Sequence, residues 1–501
     1  MNNWLVFPLL IPLCTAVVLV FAGKSLKGQR WISLLGSLLQ IGAACLLLGQ
    51  VKRDGIQTLF LSGWAPPYGI TFVADMLAAL LVLATSLVGL FCLVYAFGSI
   101  GEERERHYFY PLFQFLLAGV SGSFLTGDIF NLFVCFEVML ISSYALIVLG
   151  GTRKQLRETL KYIMINILSS ALFVAAIAYL YGVVGGLNMA DLSVRVAEAG
   201  QDGVLNVIAI LFMIVFSLKA GLFLFFWLPG SYGAPPAPIA AVFAALLTKV
   251  GLYALLRMFT LIFYHEPGVT HSLMGWMAGA TMALGAIGAL AYKDVMRILN
   301  YNVIISVGFI AFGLVSMTKD SLDGAVFYLL HDMMAKALLF IVGGLLIRAA
   351  GTAKLQEMGG LIKQYPYLGW MFFVAALAIA GIPPLSGFAG KLMIVRGGFA
   401  AEQYVLAALS LASSFIVLYS LIRIFMHAFW GRENEQPSGE KAAEARAVRN
   451  RGAWTGMASA AVLTVIVVLM GLGSEWVYSF VSGAGDTLLD PSLYVDAVLK
   501  E

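Results

Sequence analysis

Two stretches decide how this chain folds: FSLKAGLFLFFWLPGSYGAPPAP at 216–238 and GIPPLSGFAGKLMI at 381–394. Each belongs to a long apolar run, each is broken by glycine and proline, and each holds one lysine, Lys219 or Lys391. Glycine and proline interrupt a helix, and an interruption inside a bilayer frees backbone groups that only protein or water can satisfy. A lysine is costly there as well, by roughly 2.5 to 3.5 kcal/mol at the centre of a lone helix. Paired Gly/Pro-broken helices point to inverted repeats with a site at the bilayer midplane.

The rest of the chain supplies the bilayer. Its 501 residues are 61% hydrophobic and 12% charged, with a mean hydropathy of +0.91, whereas soluble domains carry roughly 25% charged residues. A soluble globular protein is excluded. Fourteen apolar runs are bounded by charge, Gly or Pro: 4–22, 31–50, 71–97, 108–126, 129–150, 158–182, 204–228, 237–263, 272–291, 297–316, 323–347, 367–399, 404–430 and 453–481. Roughly 20 apolar residues cross a bilayer core, so the expected fold is an all-α polytopic membrane protein of about 14 transmembrane helices.

The two broken runs are the seventh and the twelfth, five spans apart. That spacing suits a five-helix unit repeated once, spans 4–8 and 9–13, and because five is odd the second copy must be inverted. The chain then divides into three N-terminal spans (1–107), a first repeat (108–263), a second repeat (272–430), a linker (431–452) and a last span with a tail (453–501).

Charge sets the orientation. Loops after odd-numbered spans hold most of the cations, among them Lys24, Lys27, Arg30, Arg104, Arg106, Arg153, Lys154 and Arg157, with five more in 431–452. Loops after even-numbered spans hold Lys52, Arg53, Arg195 and Lys319, with Arg396 and Lys500 at the margins. The positive-inside rule makes the first set, and the linker, cytoplasmic and both termini external. A net charge of +4 without a basic run gives nucleic acid nothing to bind. The N-terminus lacks a basic n-region and reads as the first permanent span. Cys14, Cys45, Cys92 and Cys135 fall in separate apolar stretches and read as core residues rather than as a metal site or a disulfide framework. There is no P-loop, GxGxxG, HExxH, haem or iron–sulfur pattern, nor a hydrolase triad. No cofactor and no metal are expected.

Ten ionisable residues cannot be placed in loops: Asp75, Glu137, Lys219, Lys249, Arg257, His331, Asp332, Lys336, Lys391 and Arg423. A helix start accounts for Asp75, and snorkelling accounts for Arg423 and less well for Arg257. Asp332 and Lys336 are spaced for an i, i+4 pair, structural or conducting. Glu137, Lys219, Lys249 and Lys391 resist such readings. A buried lysine loses proton affinity and a neighbouring carboxylate restores it, so a row of these groups reads as a proton relay. Intramembrane carboxylates are too few for proton transfer to yield to metal-cation binding as the better reading.

The same residues carry a resemblance. GDIFNLFVCFEVMLISSYALIVLG (127–150), FAALLTKVGLYALLR (243–257), HDMMAKALLF (331–340) and the two broken stretches resemble the antiporter-like membrane subunits shared by respiratory complex I, membrane-bound hydrogenases and Mrp-type multisubunit Na⁺/H⁺ antiporters, over about 70–430. The resemblance implies fourteen helices with spans 7 and 12 discontinuous. It implies that Glu137 is the span 5 carboxylate paired with Lys219, that Lys249 is the connecting lysine of span 8, that His331 and Lys336 are relay members of span 11, and that Lys391 is the terminal lysine of span 12. Lysine rather than glutamate at 391, and a chain ending at Glu501, fit the D-type member of the Mrp antiporters; N-type complex I and hydrogenase homologues stay open.

The implied activity is proton translocation, driven by the proton-motive force and coupled to outward Na⁺ movement, in a hetero-oligomeric complex of the cell membrane. The partners are other subunits, protons, Na⁺ and membrane lipid, and the chain is a secondary transporter subunit rather than an enzyme. The alternatives are a proton-pumping subunit of a redox complex, and a scaffold whose buried charges fix helix register.

Overall fold

The structure, a computed structural model, describes residues 2–23, 25–431 and 453–500. Thirteen helices in it are long and apolar enough to cross a membrane: Asn3–Phe21, Leu26–Asp54, Met76–Ser99, Glu102–Leu125, Ile129–Val148, Arg153–Val184, Gly203–Ala220, Ala237–Leu261, Thr270–Ala291, Val295–Val315, Lys319–Ala350, Tyr404–Phe429 and Trp454–Leu472. A further span is built from two halves, Pro366–Ala380 and Ser386–Ala400. Counted with it, the spans are fourteen, and the protein is an all-α polytopic membrane protein. The linker expected at 431–452 lies almost wholly outside the described residues.

Loops alternate between two ends of the bundle. One end carries a β-hairpin, Gln57–Phe60 paired antiparallel with Thr71–Ala74, the amphipathic helix Met189–Ala199 and the C-terminal helices Ser474–Leu489 and Pro491–Leu499. Backbone bonds tie this end together: Asn2 N–H donates to the Thr58 carbonyl, Gly127 N–H to Thr71 and Met189 N–H to Gly127. Both chain ends therefore sit on the hairpin side, as an even number of spans requires. At the opposite end, Lys154 donates to the Gly233 carbonyl, and Arg30 pairs with the buried Glu105 at 2.8 Å.

Three boundaries differ from the sequence reading. Residues 71–74 are a strand, not the start of span 3, because Asp75 caps the helix by accepting the Ala78 N–H. The apolar run 453–481 is two helices, divided at Gly473. Span 7 stops as a helix at Ala220, well short of 228.

Matching features recur five spans apart. Spans 5 and 10 each begin with an aspartate cap, Asp128 on Asn131 N–H and Asp294 on Arg297 N–H. Each cap bridges to a residue beyond the next span, Asn188 or Lys354. Spans 6 and 11 open on threonine capping boxes at Thr152 and Thr318. Spans 7 and 12 break at Gly221 and Gly381, whose φ values of +75° and +85° belong to the left-handed region that glycine enters without a Cβ clash. Spans 8, 10 and 11 are enclosed by the others, so the charges they carry lie in the centre.

Candidate functional site

The first cluster forms at the span 7 break. Lys219 is the penultimate residue of its helix, and the turn beyond it is held by Trp227 Nε1 donating to the Leu218 carbonyl and by Phe223 N–H donating to Thr281 Oγ1 of span 9. The buried ammonium turns to span 6, donating to Ser170 Oγ at 3.3 Å. Ser170 in turn donates to Glu137 Oε1 of span 5. The Phe136 ring lies 5.0 Å from Lys219 Nζ. Glu137 and Lys219 thus meet through a hydroxyl. The chain of bonds, ammonium to hydroxyl to carboxylate, runs in one donor direction.

Span 8 carries the next lysine. Gly251 packs against the backbone of Ala220, so closely that a Cβ there would lie 2.5 Å from Ala220 N; this fixes span 8 against the break. One turn before it, residues Phe243–Leu247 form a wider π-helical turn, a local irregularity frequent at functional positions. The Ala244 carbonyl in that turn accepts from Lys249 Nζ at 2.8 Å.

Across from it, span 11 places Asp332 between two lysines. Lys249 Nζ is 2.7 Å from Asp332 Oδ2, and Lys336 Nζ is 3.6 Å from Oδ1. Lys336 also donates to the Asn302 carbonyl of span 10 at 2.8 Å. None of the three side chains is more than 1% exposed. Spacing along the sequence pointed to the Asp332–Lys336 pair, but the nearer partner is Lys249 on another helix, so Asp332 joins the two repeats rather than closing a local pair. Next to it, His331 Nδ1 lies 2.7 Å from Ser386 Oγ, at the start of the second half of span 12. Its Nε2 has no hydrogen-bond partner among the described residues.

Lys391 closes the row. Its Nζ donates to the Ala380 carbonyl, freed at the end of the first half of span 12, and to Ser414 Oγ of span 13, both at 3.0 Å. The Phe309 and Tyr328 rings lie 5.2 and 5.7 Å away. Lys391 does not occupy the place in its repeat that Lys219 holds: Lys219 precedes its break, whereas Lys391 follows its own and reaches back across it.

All six expected site residues are therefore beside one another's partners, in two groups. Ser170, Asp332, Ser386 and Ser414 complete them. Two ionisable residues stand apart, Arg257 and Asp75, which form a buried pair of their own at 2.7 Å. Arg423 donates to the carbonyls of Ala289, Leu290 and Tyr292 at a helix end, a capping role. Among the described residues no cluster of three or more His, Cys, Asp or Glu is arranged to hold a metal ion.

Comparison with known proteins follows the same lines. A family model described as NADH:quinone oxidoreductase/Mrp antiporter, transmembrane, matches residues 126–417, which include every residue of the two groups. The D-type subunit of the Na⁺/H⁺ antiporter of Bacillus subtilis (strain 168) is 53% identical over 502 residues, covering 100% of both chains. A chain in the structure of the Mrp complex from Dietzia sp. DQ12-45-1b superposes with a TM-score of 0.90 at 28% identity, again covering 100% of both. A chain of the membrane-bound sulfane sulfur reductase, an archaeal respiratory membrane complex, reaches 0.89 at 27% identity, covering 99% of this chain and 100% of that one. Because the family model spans more than half of the sequence and the antiporter relative matches it from end to end, the chain belongs to the NADH:quinone oxidoreductase/Mrp antiporter family, on the branch of the D-type Na⁺/H⁺ antiporter subunits.

Proposed function

We propose that this chain is the proton-translocating subunit of a multisubunit Na⁺/H⁺ antiporter of the cell membrane. The observation that carries the reading is the row of buried ionisable groups lying between two broken helices: Glu137, Lys219, Lys249, His331, Lys336 and Lys391, with Asp332 in their midst. The helix breaks interrupt the apolar wall beside the two end lysines, where water can enter and exchange protons with them. Between them, a charge on one lysine disfavours a charge on the next, and loosening Lys219 from Ser170 and Glu137 withdraws the support of the carboxylate. Protons thereby pass along the row by linked changes of charge, without a large hinge motion. Each charge that crosses 100 mV releases about 2.3 kcal/mol, and the assembled complex uses it to move Na⁺ outward.

The matching caps, boxes and glycine breaks support reading spans 4–8 and 9–13 as inverted copies. The bias of Lys and Arg among the loops supports a hairpin end facing outside, with both termini there and residues 431–452 in the cytoplasm. A cysteine placed at Ser438 tests that orientation: in intact cells an impermeant thiol reagent should not reach it, and labelling from outside would reverse the assignment.

A second reading, a proton-pumping subunit of a redox complex, draws on the nearly equal fold likeness to the sulfane sulfur reductase chain. The 53% identity to an antiporter subunit favours the first. Copurification separates them: small hydrophobic antiporter subunits support the antiporter, whereas iron–sulfur, flavin or nickel subunits would support the redox complex. Transport itself is tested by ΔpH-dependent Na⁺ and proton fluxes in vesicles holding the complex with and without this chain; both fluxes should require it, and exchange that persists without it would end the proposal.

A further inference from the structure

Span 8 continues past Lys249 towards the hairpin end, and the relay does not use what it meets there. Lys249, Tyr253 and Arg257 are four residues apart and share one helical face, Arg257 lying two turns, about 12 Å, beyond Lys249. The Arg257 side chain is 3% exposed and its Nη2 donates to Asp75 Oδ2 at 2.7 Å. Asp75 is fully buried, its other oxygen held by the Ala78 N–H at the start of span 3. Tyr253 and Tyr494 flank the guanidinium at 5.4 and 4.8 Å, and Tyr494 belongs to the C-terminal helix Pro491–Leu499 that closes this end. The Tyr253 hydroxyl is occupied, donating to the Phe124 carbonyl. Arg257 Nε has no hydrogen-bond partner among the described residues.

A buried Arg–Asp pair is a weak staple, since apolar replacements of similar size are often neutral or stabilising. It has a property that apolar residues lack. A guanidinium keeps its proton at every physiological pH, so no proton can hop through it, and it offers an incoming proton no acceptor. At the same end of the second repeat the arrangement is the opposite: Lys319, 31% exposed, contacts buried Asp323 at 3.0 Å and Asp486 at 2.7 Å, the latter 58% exposed. That cluster opens to the surface through Lys319 and Asp486, whereas the first is buried on both sides of the pair.

We propose that Arg257, held by Asp75 and covered by Tyr494, is a proton-tight seal that prevents a proton on Lys249 from leaving at the hairpin end, so that exchange there is confined to the second repeat. The proposal rests on the relay reading, and its test is separable because it is read without Na⁺. The assembled complex is placed in vesicles, a ΔpH is imposed in Na⁺-free buffer, and its decay is followed with a fluorescent dye. Two charge-free pairs are compared with the wild type: Asp75→Leu with Arg257→Met, and Asp75→Asn with Arg257→Gln. Either, once assembled, should collapse the gradient about tenfold faster, the change in rate expected from a modest loss of barrier. Adding Lys249→Met should restore a tight membrane, because the leak runs through Lys249; a merely structural pair would not produce a leak that depends on that lysine. An assembled charge-free variant that holds ΔpH as the wild type does would overturn the seal, as would a leak that persists without Lys249 or the failure of both charge-free pairs to assemble. Failure of the relay reading would appear instead as normal Na⁺-dependent exchange in variants of the row itself.

Discussion

Lys219 and Lys391 stand beside the two broken helices, each donating to a serine hydroxyl and each near an aromatic ring, but the serines pass the bond on differently. Ser170 donates to the carboxylate of Glu137. Ser414 donates to the Ser410 carbonyl, 3.0 Å away on its own helix. Lys219 therefore has a counter-charge one hydroxyl away, whereas Lys391 is held by neutral groups, including the carbonyl freed by its own break. The depth of Ser170 in span 6, counted from its threonine cap, is that of Lys336 in span 11. Where the first repeat has a neutral bridge to an acid, the second has another cation, and the negative charge it needs, Asp332, is shared with Lys249 of the first repeat. Balance is thus local at one end of the row and borrowed across the repeat boundary in the middle, while at the other end no carboxylate touches Lys391 among the described residues.

The largest effect should follow from removing the borrowed charge. Asp332→Asn leaves Lys249 and Lys336 facing each other without a counter-ion, and breaking a buried pair costs roughly 3 to 5 kcal/mol. Recovery of the subunit with its complex should fall and Na⁺-dependent proton flux should vanish. Lys336→Met should assemble far better, because Lys249 remains to neutralise Asp332. If the two variants assemble equally well, the shared-charge account is broken.

Next comes the locally balanced end. Glu137→Gln keeps shape and hydrogen bonding but gives Lys219 no charge to exchange with, and loss of one positioned proton-transfer group typically costs about a hundredfold or more. The complex should assemble, and flux measured in vesicles should fall by that order. A rate near the wild-type value would remove Glu137 from the relay.

The smallest pair of effects sharpens the comparison most. Ser170→Ala interrupts the hydrogen-bonded link between Lys219 and Glu137, and should slow flux by about tenfold, the effect of losing one hydrogen bond to a charged group. Ser414→Ala removes a neutral contact of ordinary strength, worth about 1 kcal/mol, and should change flux by only a few-fold. Equal losses at the two serines would mean that the two lysines work alike.

The spans were legible in the sequence for one reason: charge is so unwelcome in a bilayer that its frequent appearances mark loops and its rare ones mark buried polar contacts. The helix breaks at Gly221 and Gly381 could be read from their glycines and prolines. The hairpin could not, because Thr71–Ala74 is apolar and runs without a polar gap into span 3; only the capping aspartate, Asp75, separated them. Gly473 was too slight a signal to divide the last apolar run. Among the site residues, the lysines, Glu137 and His331 stood out by cost. Ser170, Ser386 and Ser414 did not, since serines in membrane helices commonly satisfy themselves on a carbonyl one turn back, and nothing in their spacing says which of them face a charge. The Asp332–Lys336 spacing revealed a local pair and hid the closer partner on span 8, a contact that only packing creates. The same limit applies to Asp75 and Arg257, which are far apart in sequence and meet at the hairpin end of spans 3 and 8.

The central claim is that the row ends in a titratable group at Lys391, and one substitution addresses it directly. The lysine holds the Ala380 carbonyl and Ser414, so a parked structural role and a relay role both agree with its contacts. Methionine fills the same space and carries no proton. Na⁺-dependent proton flux of the assembled Lys391→Met complex should be absent, while Lys391→Glu, which restores a titratable group, should recover part of it with a shifted pH optimum. Near-normal antiport by the methionine variant would contradict the account.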